Sequence, residues 1–96
     1  MDHVRVSDNA PQERFEGHVD GQLAGFAEYV RVGDLVVFTH TEVEPAFGGQ
    51  GVGAAIVRYA MDAVRAEGPA RVVARCSYVR AWLGKHPDYA ELIHHP

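Results

Sequence analysis

Alternating polar and apolar positions in the first half of the chain predict consecutive strands. Segment 14–19 alternates, and segment 22–32 predicts a second strand. The Asp-Gly pair at 20–21 between them suits a type I′ turn, whose two central residues need positive φ. A Gly-Asp turn at 33–34 leads into the unbroken apolar run 35–38, which is typical of a strand buried on both faces in mid-sheet. The pattern predicts an antiparallel meander, with a further short strand at 4–6.

The strongest helical periodicity follows directly after a glycine-rich segment. Small or apolar side chains recur at the spacing of one helix face, at positions 52, 55, 56, 59, 60, 63 and 64. Gly68 and Pro69 are typical of the end of such a helix. The segment 71–75 then predicts a strand, which a right-handed crossover would lay parallel to the run 35–38.

The C-terminal part of the chain predicts two short elements. Ser77 is a suitable N-cap for a helix from Tyr78 to about Lys85, and Pro87 would stop it. Segment 89–93 predicts a last edge strand. The fold class expected is α/β (α+β): a central mixed sheet, with an antiparallel meander followed by a β-α-β crossover and a short C-terminal helix.

The composition is that of one globular domain spanning residues 1–96. Of the 96 residues 47% are apolar and 23% charged, and a chain of this size forms a single core. No segment approaches the ~20 apolar residues of a membrane span, and the first residues do not follow the order of a signal peptide. We therefore expect a cytoplasmic protein that does not bind membranes.

Charge and cysteine content narrow the chemistry. Thirteen acidic residues outnumber nine basic ones, which argues against binding of nucleic acid. Segment 68–87 nevertheless has four cations and no acid, so it could attract a small anion. The single cysteine, Cys76, cannot form an internal disulfide, and the histidines lack the spacing of metal ligands, so no metal site is expected.

Four glycines in six residues join the run 35–43 to the start of the helix. The first amides of a helix lack partners and carry partial positive charge, and glycines let an anion approach the backbone, so the segment predicts a phosphate site. The alternative is a merely flexible loop. Ala54 follows Gly53 where a P-loop has Lys, and no acid ends the next strand as dinucleotide folds require. Neither common nucleotide fold matches.

Together these features resemble the GNAT superfamily of acetyl-CoA-dependent N-acetyltransferases. The glycine turn has the form Gln-Gly-Val-Gly at 50–53. The His-Thr-Glu-Val segment at 40–43, the Cys-Ser-Tyr segment at 76–78 and the Lys-His-Pro-Asp-Tyr segment at 85–89 are similar to a compact single-domain subfamily of about this length. Two positions depart from the family pattern: Gly48 replaces an Arg or Gln, and Trp82 replaces a Tyr that serves as the acid.

The resemblance implies acetyl-CoA as cosubstrate, with its pyrophosphate on the glycine turn. It places the thioester beside a splayed gap between the strand that ends near Val43 and the strand that ends at Arg75. Backbone of the first strand would run along the pantetheine. The charge of Arg75, Arg80 and Lys85 suits the pyrophosphate or the ribose phosphate, and the alternative is that these cations form a solvated basic face. The residues implied in binding are Thr41, Val43, Gly48, Gly49, Gln50, Gly51, Val52, Gly53, Arg80 and Lys85.

Four side chains are candidates for the acetyl transfer. Cys76 follows a strand, precedes a helix N-terminus and lies next to Arg75, and both surroundings lower a thiol pKa. The alternative interpretation is that Cys76 is only a small buried side chain. If Cys76 is catalytic, it either accepts the acetyl group or protonates the leaving thiolate. His40 and Glu42 share one face of a strand, so either is a candidate general base. Tyr78 is a substitute acid.

The function expected is transfer of acetyl from acetyl-CoA to a primary amine, either of a small molecule or of an exposed lysine. A domain this small lacks the extra helices that form an acceptor cleft in larger members. The acceptor site is therefore open, shared across a homodimer, or absent. Two alternatives remain: a coenzyme A binding module without turnover, and an interaction protein that pairs through a sheet edge.

Overall fold

A computed structural model describes residues 3–96 as one five-stranded sheet with two helices. The strands lie side by side in chain order: β1 (Val4–Asn9), β2 (Arg14–Val19), β3 (Gln22–Val32), β4 (Leu35–Val43) and β5 (Arg71–Ala74). β1 to β4 pair antiparallel, and β5 pairs parallel to β4. The predicted meander, crossover and α/β fold class are confirmed.

Helix α1 spans Val52–Ala66 and helix α2 spans Ser77–Gly84. Short 3₁₀ turns lie at Ala10–Gln12, Pro45–Phe47 and Pro87–Leu92. Both α helices cover the same face of the sheet, since the guanidinium carbon of Arg58 in α1 lies 5.4 Å from the ring centroid of Trp82 in α2. This leaves the opposite face without a helix in the described part of the chain, and we call it the helix-free face.

The core lies between the sheet and α1. Its largest fully buried side chains include Phe15, Phe38, Ile56 and Met61. The prediction that run 35–38 is buried on both faces is wrong, because only Val36 and Phe38 are buried whereas Leu35 and Val37 are half-buried. Those two side chains point to the helix-free face, where no second layer covers them.

The buried stripe of α1 is rotated from the predicted one. Positions 52, 56, 60 and 64 are buried as expected, but Val57 and Met61 are buried too, while Tyr59 is 44% exposed. Tyr59 still contacts the core, at 6.1 Å between its ring centroid and that of Phe15. Small alanines at 55 and 63 therefore lie at the rim, where the spacing alone cannot distinguish them from core positions.

Two C-terminal predictions are corrected. Ser77 is not the N-cap of α2: Cys76 occupies that position, and its carbonyl accepts the Arg80 amide at 3.0 Å. The predicted edge strand 89–93 is a 3₁₀ turn over Pro87–Leu92, with only one bridging pair, between Ile93 and Val72. The turn forms because Tyr89 is buried and donates to Asp62 Oδ1 at 2.6 Å, an anchor that an extended strand would lose.

Candidate active site

The glycine segment leaves the start of α1 with free amides. The amides of Phe47 and Gly48 bond to the carbonyls of Glu44 and Pro45 at 2.9 and 3.1 Å. The next bonded amide is that of Ala55, on the carbonyl of Gly51. In residues 3–96, the six amides from 49 to 54 therefore have no protein acceptor, which is the requirement of an anion site at a helix N-terminus.

The glycines of this segment serve different purposes. Gly49 and Gly51 have φ of +77°, and an added Cβ would meet no atom within 4 Å, so the loop is open to solvent. Gly48 has an ordinary φ of −62°, and its amide is already bonded, so it offers no donor. Gly53 is buried beneath Tyr78, whose hydroxyl oxygen lies 2.7 Å from where a Cβ would stand.

Beyond the loop, the sheet opens between β4 and β5. Their last pair is Phe38 with Ala74, and the Phe38 carbonyl accepts the amides of both Arg75 and Cys76 at 3.0 Å. There β5 turns away into α2, whereas β4 continues to Val43. We call this opening, along β4 from residue 39 to 43, the β4–β5 slot.

The backbone of β4 offers donors to the slot. The Glu44 amide bonds across to the Ala24 carbonyl of β3 at 2.8 Å. Because the backbone groups of a strand alternate between its two sides, the amides of Thr41 and Val43 point away from β3, toward the slot. This is the orientation in which main-chain groups can bind an extended ligand.

Cys76 lies in the slot, 8% exposed, and its Sγ lies 3.4 Å from Thr41 Oγ1. Burial raises the pKa of the thiol, but hydrogen bonds to the thiolate outweigh this effect and leave the pKa lowered overall. The donors are the Thr41 hydroxyl and the backbone amides of Val79, Tyr78 and Thr41. Two amides of α2 thus act on the sulfur.

An extra residue in β4 places the candidate bases on the other side of the sheet. Tyr29 of β3 pairs with Phe38 and Glu28 pairs with His40, so Thr39 is a bulge. The bulge shifts the alternation: Phe38 and Thr41 both face the helices, whereas His40 faces the helix-free side.

His40 and Glu42 form a pair on that side. His40 Nε2 lies 3.1 Å from Glu42 Oε1, and the side chains are 55% and 54% exposed. The ring of Phe26 in β3 lies 6.2 Å from that of His40, centroid to centroid. The structure therefore brings the two predicted bases together and separates them from Cys76 by the thickness of the sheet at the slot.

The predicted cations divide into two groups. Arg80 donates to the carbonyls of Ala74 and Arg75 at 3.1 and 3.4 Å, which fixes the end of β5. Lys85 instead lines a groove of about 890 Å³ between β1, α1 and α2. This groove starts beside the glycine segment, at Ala54, and continues along α1 past Arg58.

Arg58 is a functional candidate that the sequence argument missed. It lies over the Trp82 ring, and Trp82 in turn stacks on His86 with ring centroids 3.8 Å apart. The groove therefore combines an aromatic platform with the charges of Arg58 and Lys85. The signal available in the sequence was the position of Arg58 on the polar face of α1, about one turn beyond the glycines.

Tyr78 lies at the glycine segment. Its ring is 43% exposed, and burial raises the pKa of its hydroxyl, so it stays protonated at neutral pH. With its oxygen above Gly53, it can donate a hydrogen bond to an anion held by the loop. Its role as an acid stays a prediction.

A sheet that splays beside a glycine-rich helix N-terminus defines a class of protein, the coenzyme A-dependent N-acetyltransferases. A family model described as GCN5-related N-acetyl-transferase matches residues 14–92 of the chain. The chain therefore belongs to this family, and acetyl-CoA is the cosubstrate that the family uses. The resemblance inferred from the sequence is confirmed at this level.

Solved structures share the fold. A GCN5-like protein from Staphylococcus aureus superposes with a TM-score of 0.71 at 22% identity, covering 100% of this chain and 93% of its own. The ribosomal-protein-S18-alanine N-acetyltransferase from Escherichia coli has a TM-score of 0.64 at 19% identity, with coverage of 88% and 52%. The chain thus spans nearly all of the first protein and about half of the second.

A third similar structure contains the cosubstrate's carrier. The PaiA N-acetyltransferase from Thermoplasma acidophilum, in complex with coenzyme A, has a TM-score of 0.54 at 16% identity, covering 62% of this chain and 38% of its own. At these identities the three structures show the fold alone. A comparison with the curated proteins found no match.

Two further observations concern membranes and metals. No helix within residues 3–96 is long and apolar enough to cross a bilayer. Over the same residues, His, Cys, Asp and Glu side chains do not gather in groups of three or more that could hold a metal ion. The cytoplasmic location and the homodimer stay predictions.

Proposed function

We propose that this N-acetyltransferase binds acetyl-CoA along a continuous path from the groove, over the glycine segment and into the β4–β5 slot, and acetylates a primary amine at the slot. The observation that carries the proposal is the run of six free amides at residues 49–54, which only the 3₁₀ turn Pro45–Phe47 and its flanking residues separate from the unpaired edge of β4.

The diphosphate would bind to main-chain donors. Helix amides and the helix dipole stabilise an anion without a cationic side chain, which suits a loop with Gly48 where the family has Arg or Gln. The Tyr78 hydroxyl would add one donor from above Gly53. The nucleotide would then follow the groove, where Arg58 and Lys85 can meet its phosphate.

The thioester would lie in the slot, with its carbonyl oxygen bound by a β4 amide. An amine attacks as the free base, so an ammonium must first lose a proton; His40 takes it, and Glu42 stabilises the imidazolium that forms. Attack forms the C–N bond and an oxyanion that the amide stabilises. The C–S bond then breaks, and Cys76 donates its proton to the departing thiolate. The nitrogen loses its remaining surplus proton to solvent as the amide forms, and solvent reprotonates Cys76.

The environment of Cys76 supports this role, since the Thr41 hydroxyl and the α2 amides stabilise the thiolate left behind. A two-step path, in which Cys76 itself accepts the acetyl group and passes it to the amine, uses the same atoms. Intact mass measurement after incubation with acetyl-CoA distinguishes the two paths. An acetyl adduct on the wild type that is lost in Cys76→Ala supports the covalent path, and its absence supports direct transfer.

Calorimetric titration with acetyl-CoA, together with thiol release in the presence of amines, tests the proposal. His40→Ala and Glu42→Gln are expected to lower kcat by about 10²–10⁴ while leaving acetyl-CoA affinity unchanged. The matched control is Glu91→Gln, a 69% exposed carboxylate on the C-terminal turn. Equal activity in all three variants would remove the pair from the reaction.

The second candidate is a coenzyme A binding module without turnover. It is favoured by Trp82, which has no acidic proton and is packed at 7% exposure where the family places its acid. Such a module would bind acetyl-CoA in the titration and release no thiol with any amine.

A further inference from the structure

The two substrates of the proposed reaction are assigned to opposite sides of the sheet. The groove and the free amides lie on the side of α1, whereas the His40–Glu42 pair projects from the helix-free face. An amine that gives its proton to this pair must therefore arrive across the helix-free face. We propose that the acceptor is a lysine side chain of a polypeptide segment that lies on this face, an inference that rests on the proposed function.

The helix-free face offers a flat surface rather than an enclosure. Small ligands are usually bound in cavities of about 300–1,000 Å³ that bury most of their surface. Two cavities lie elsewhere: the groove, of about 890 Å³, and a cavity of about 720 Å³ at the glycine segment. Neither is lined by residues of the helix-free face near His40. The base pair itself is more than half exposed. A free small amine would gain few contacts here, whereas a polypeptide can gain them along its length.

The end of the face beside the slot has more carboxylates than cations, although Arg14 of β2 pairs in register with Glu28 and forms an ion pair with Glu16. Glu28 lies directly across from His40, and its carboxylate has no side-chain partner among the described residues. Together with Glu42, it offers two carboxylates to an ammonium at the point where the amine must arrive. Phe26, opposite Glu42, is covered by the guanidinium of Arg14, which lies 4.6 Å from its ring centroid.

Farther from the slot, the part of the face formed by β3 and β4 is apolar. Val30 and Val32 alternate with the helix-side residues of β3, and they are 44% and 59% exposed. Val37 pairs with Val30 and is half-buried on the same face. The two carboxylates complement the ammonium of a lysine, and the strip of valines that leads away from them complements apolar residues that follow this lysine in the peptide.

Lysine also meets the geometric requirement. Its amine sits on a flexible stem of four carbons, so it can enter the slot while the peptide backbone remains on the surface. A terminal α-amine has no such stem, and its own backbone would have to enter the sheet.

The test compares acceptors and then perturbs the surface. With saturating acetyl-CoA, thiol release is measured for a library of lysine-centred peptides and for Nα-acetyl-lysine amide, which carries the same amine without flanking residues. The best peptides are expected to exceed the single amide in kcat/KM by about 100-fold, or about 2.7 kcal/mol. Val30→Glu should raise the peptide KM at least tenfold without changing acetyl-CoA affinity.

The matched control is Ala66→Glu, which adds the same charge at an exposed position on the helix side. Val32→Glu serves as a second variant should Val30→Glu fail to fold. Equal kcat/KM for peptides and the single amide, or a peptide KM that neither valine variant moves, overturns the lysine inference. Acetyl-CoA binding without acetylation of any peptide also overturns it but leaves the cosubstrate site intact; failure to bind acetyl-CoA removes the proposed function itself.

Discussion

Replacing Gly51 by alanine is expected to destabilise the protein, whereas the same replacement at Gly48 is not. Gly51 has φ of +77°, and an added methyl group there would meet no atom within 4 Å, so the whole cost is backbone strain. Left-handed backbone costs an ordinary L-residue about 1–2 kcal/mol. Gly48 has φ of −62°, and its added Cβ would lie 3.4 Å from the Pro45 carbonyl oxygen, a tolerable contact.

The strain converts into a measurable shift. For a domain of this size 1 kcal/mol moves Tm by about 4–8 °C, so Gly51→Ala should lower Tm by roughly 4–16 °C. Gly48→Ala should leave Tm unchanged or raise it slightly, because alanine restricts the unfolded chain. If the loop relaxes to relieve the strain, the amides of Val52 and Gly53 turn away from the diphosphate. Coenzyme A affinity should then fall at least about tenfold, since a hydrogen bond to a charged group contributes about 1.5–3 kcal/mol.

Thermal melts by circular dichroism and calorimetric titration with coenzyme A measure both effects. Gly51→Asn is an informative third variant, because asparagine tolerates left-handed backbone better than alanine and should recover part of the stability. The reasoning is refuted if Gly51→Ala melts with the wild type, or if Gly48→Ala weakens coenzyme A binding as much as Gly51→Ala does.

Two further predictions concern protonation. Thr41→Val should raise the pKa of the Cys76 thiol, so its alkylation rate should begin to rise at a higher pH than in the wild type. Thr41→Ser keeps the hydroxyl and should leave the pH profile unchanged. Equal profiles for the valine variant and the wild type would contradict the assigned hydrogen bond. The carboxylate of Glu16 accepts from Asn9 and Arg14 at 2.8 Å each, which lowers its pKa below 4.5. It therefore stabilises the fold above pH 4.5 and less as the pH falls through the lowered value. Glu16→Gln should lower Tm at pH 7, with a difference that shrinks in acid; a pH-independent difference would contradict this.

Much of the fold was predictable because its signals are local. The bounds of β2 and β3 follow from the alternation of segment 14–19 and from a tight turn with φ of 50° at Asp20 and 80° at Gly21. Helix α1 follows from one apolar stripe after the glycine segment. The segment around Tyr89 was mispredicted as a strand because its conformation depends on a buried bond to Asp62, which is 27 positions away.

Of the candidate site, the glycine segment was readable in the sequence, since free amides at a helix N-terminus depend only on local chain order. The meeting of Cys76 with Thr41 was not, because it joins residues 35 positions apart. Nor was the pairing of Arg58 and Lys85 along one groove, which requires α1 and α2 to lie on the same face.

What the sequence alone determined is the meander and crossover, the fold class, the family and the glycine segment at the start of α1, because each depends on neighbouring residues. The tertiary structure alone decided on which side of the sheet each reactive group lies. One extra residue, Thr39, reverses the alternation of β4, so His40 and Glu42 face away from the helices while Thr41 faces Cys76. A bulge exists only relative to the partner strand, so its effect on the site appears only once β3 and β4 are paired.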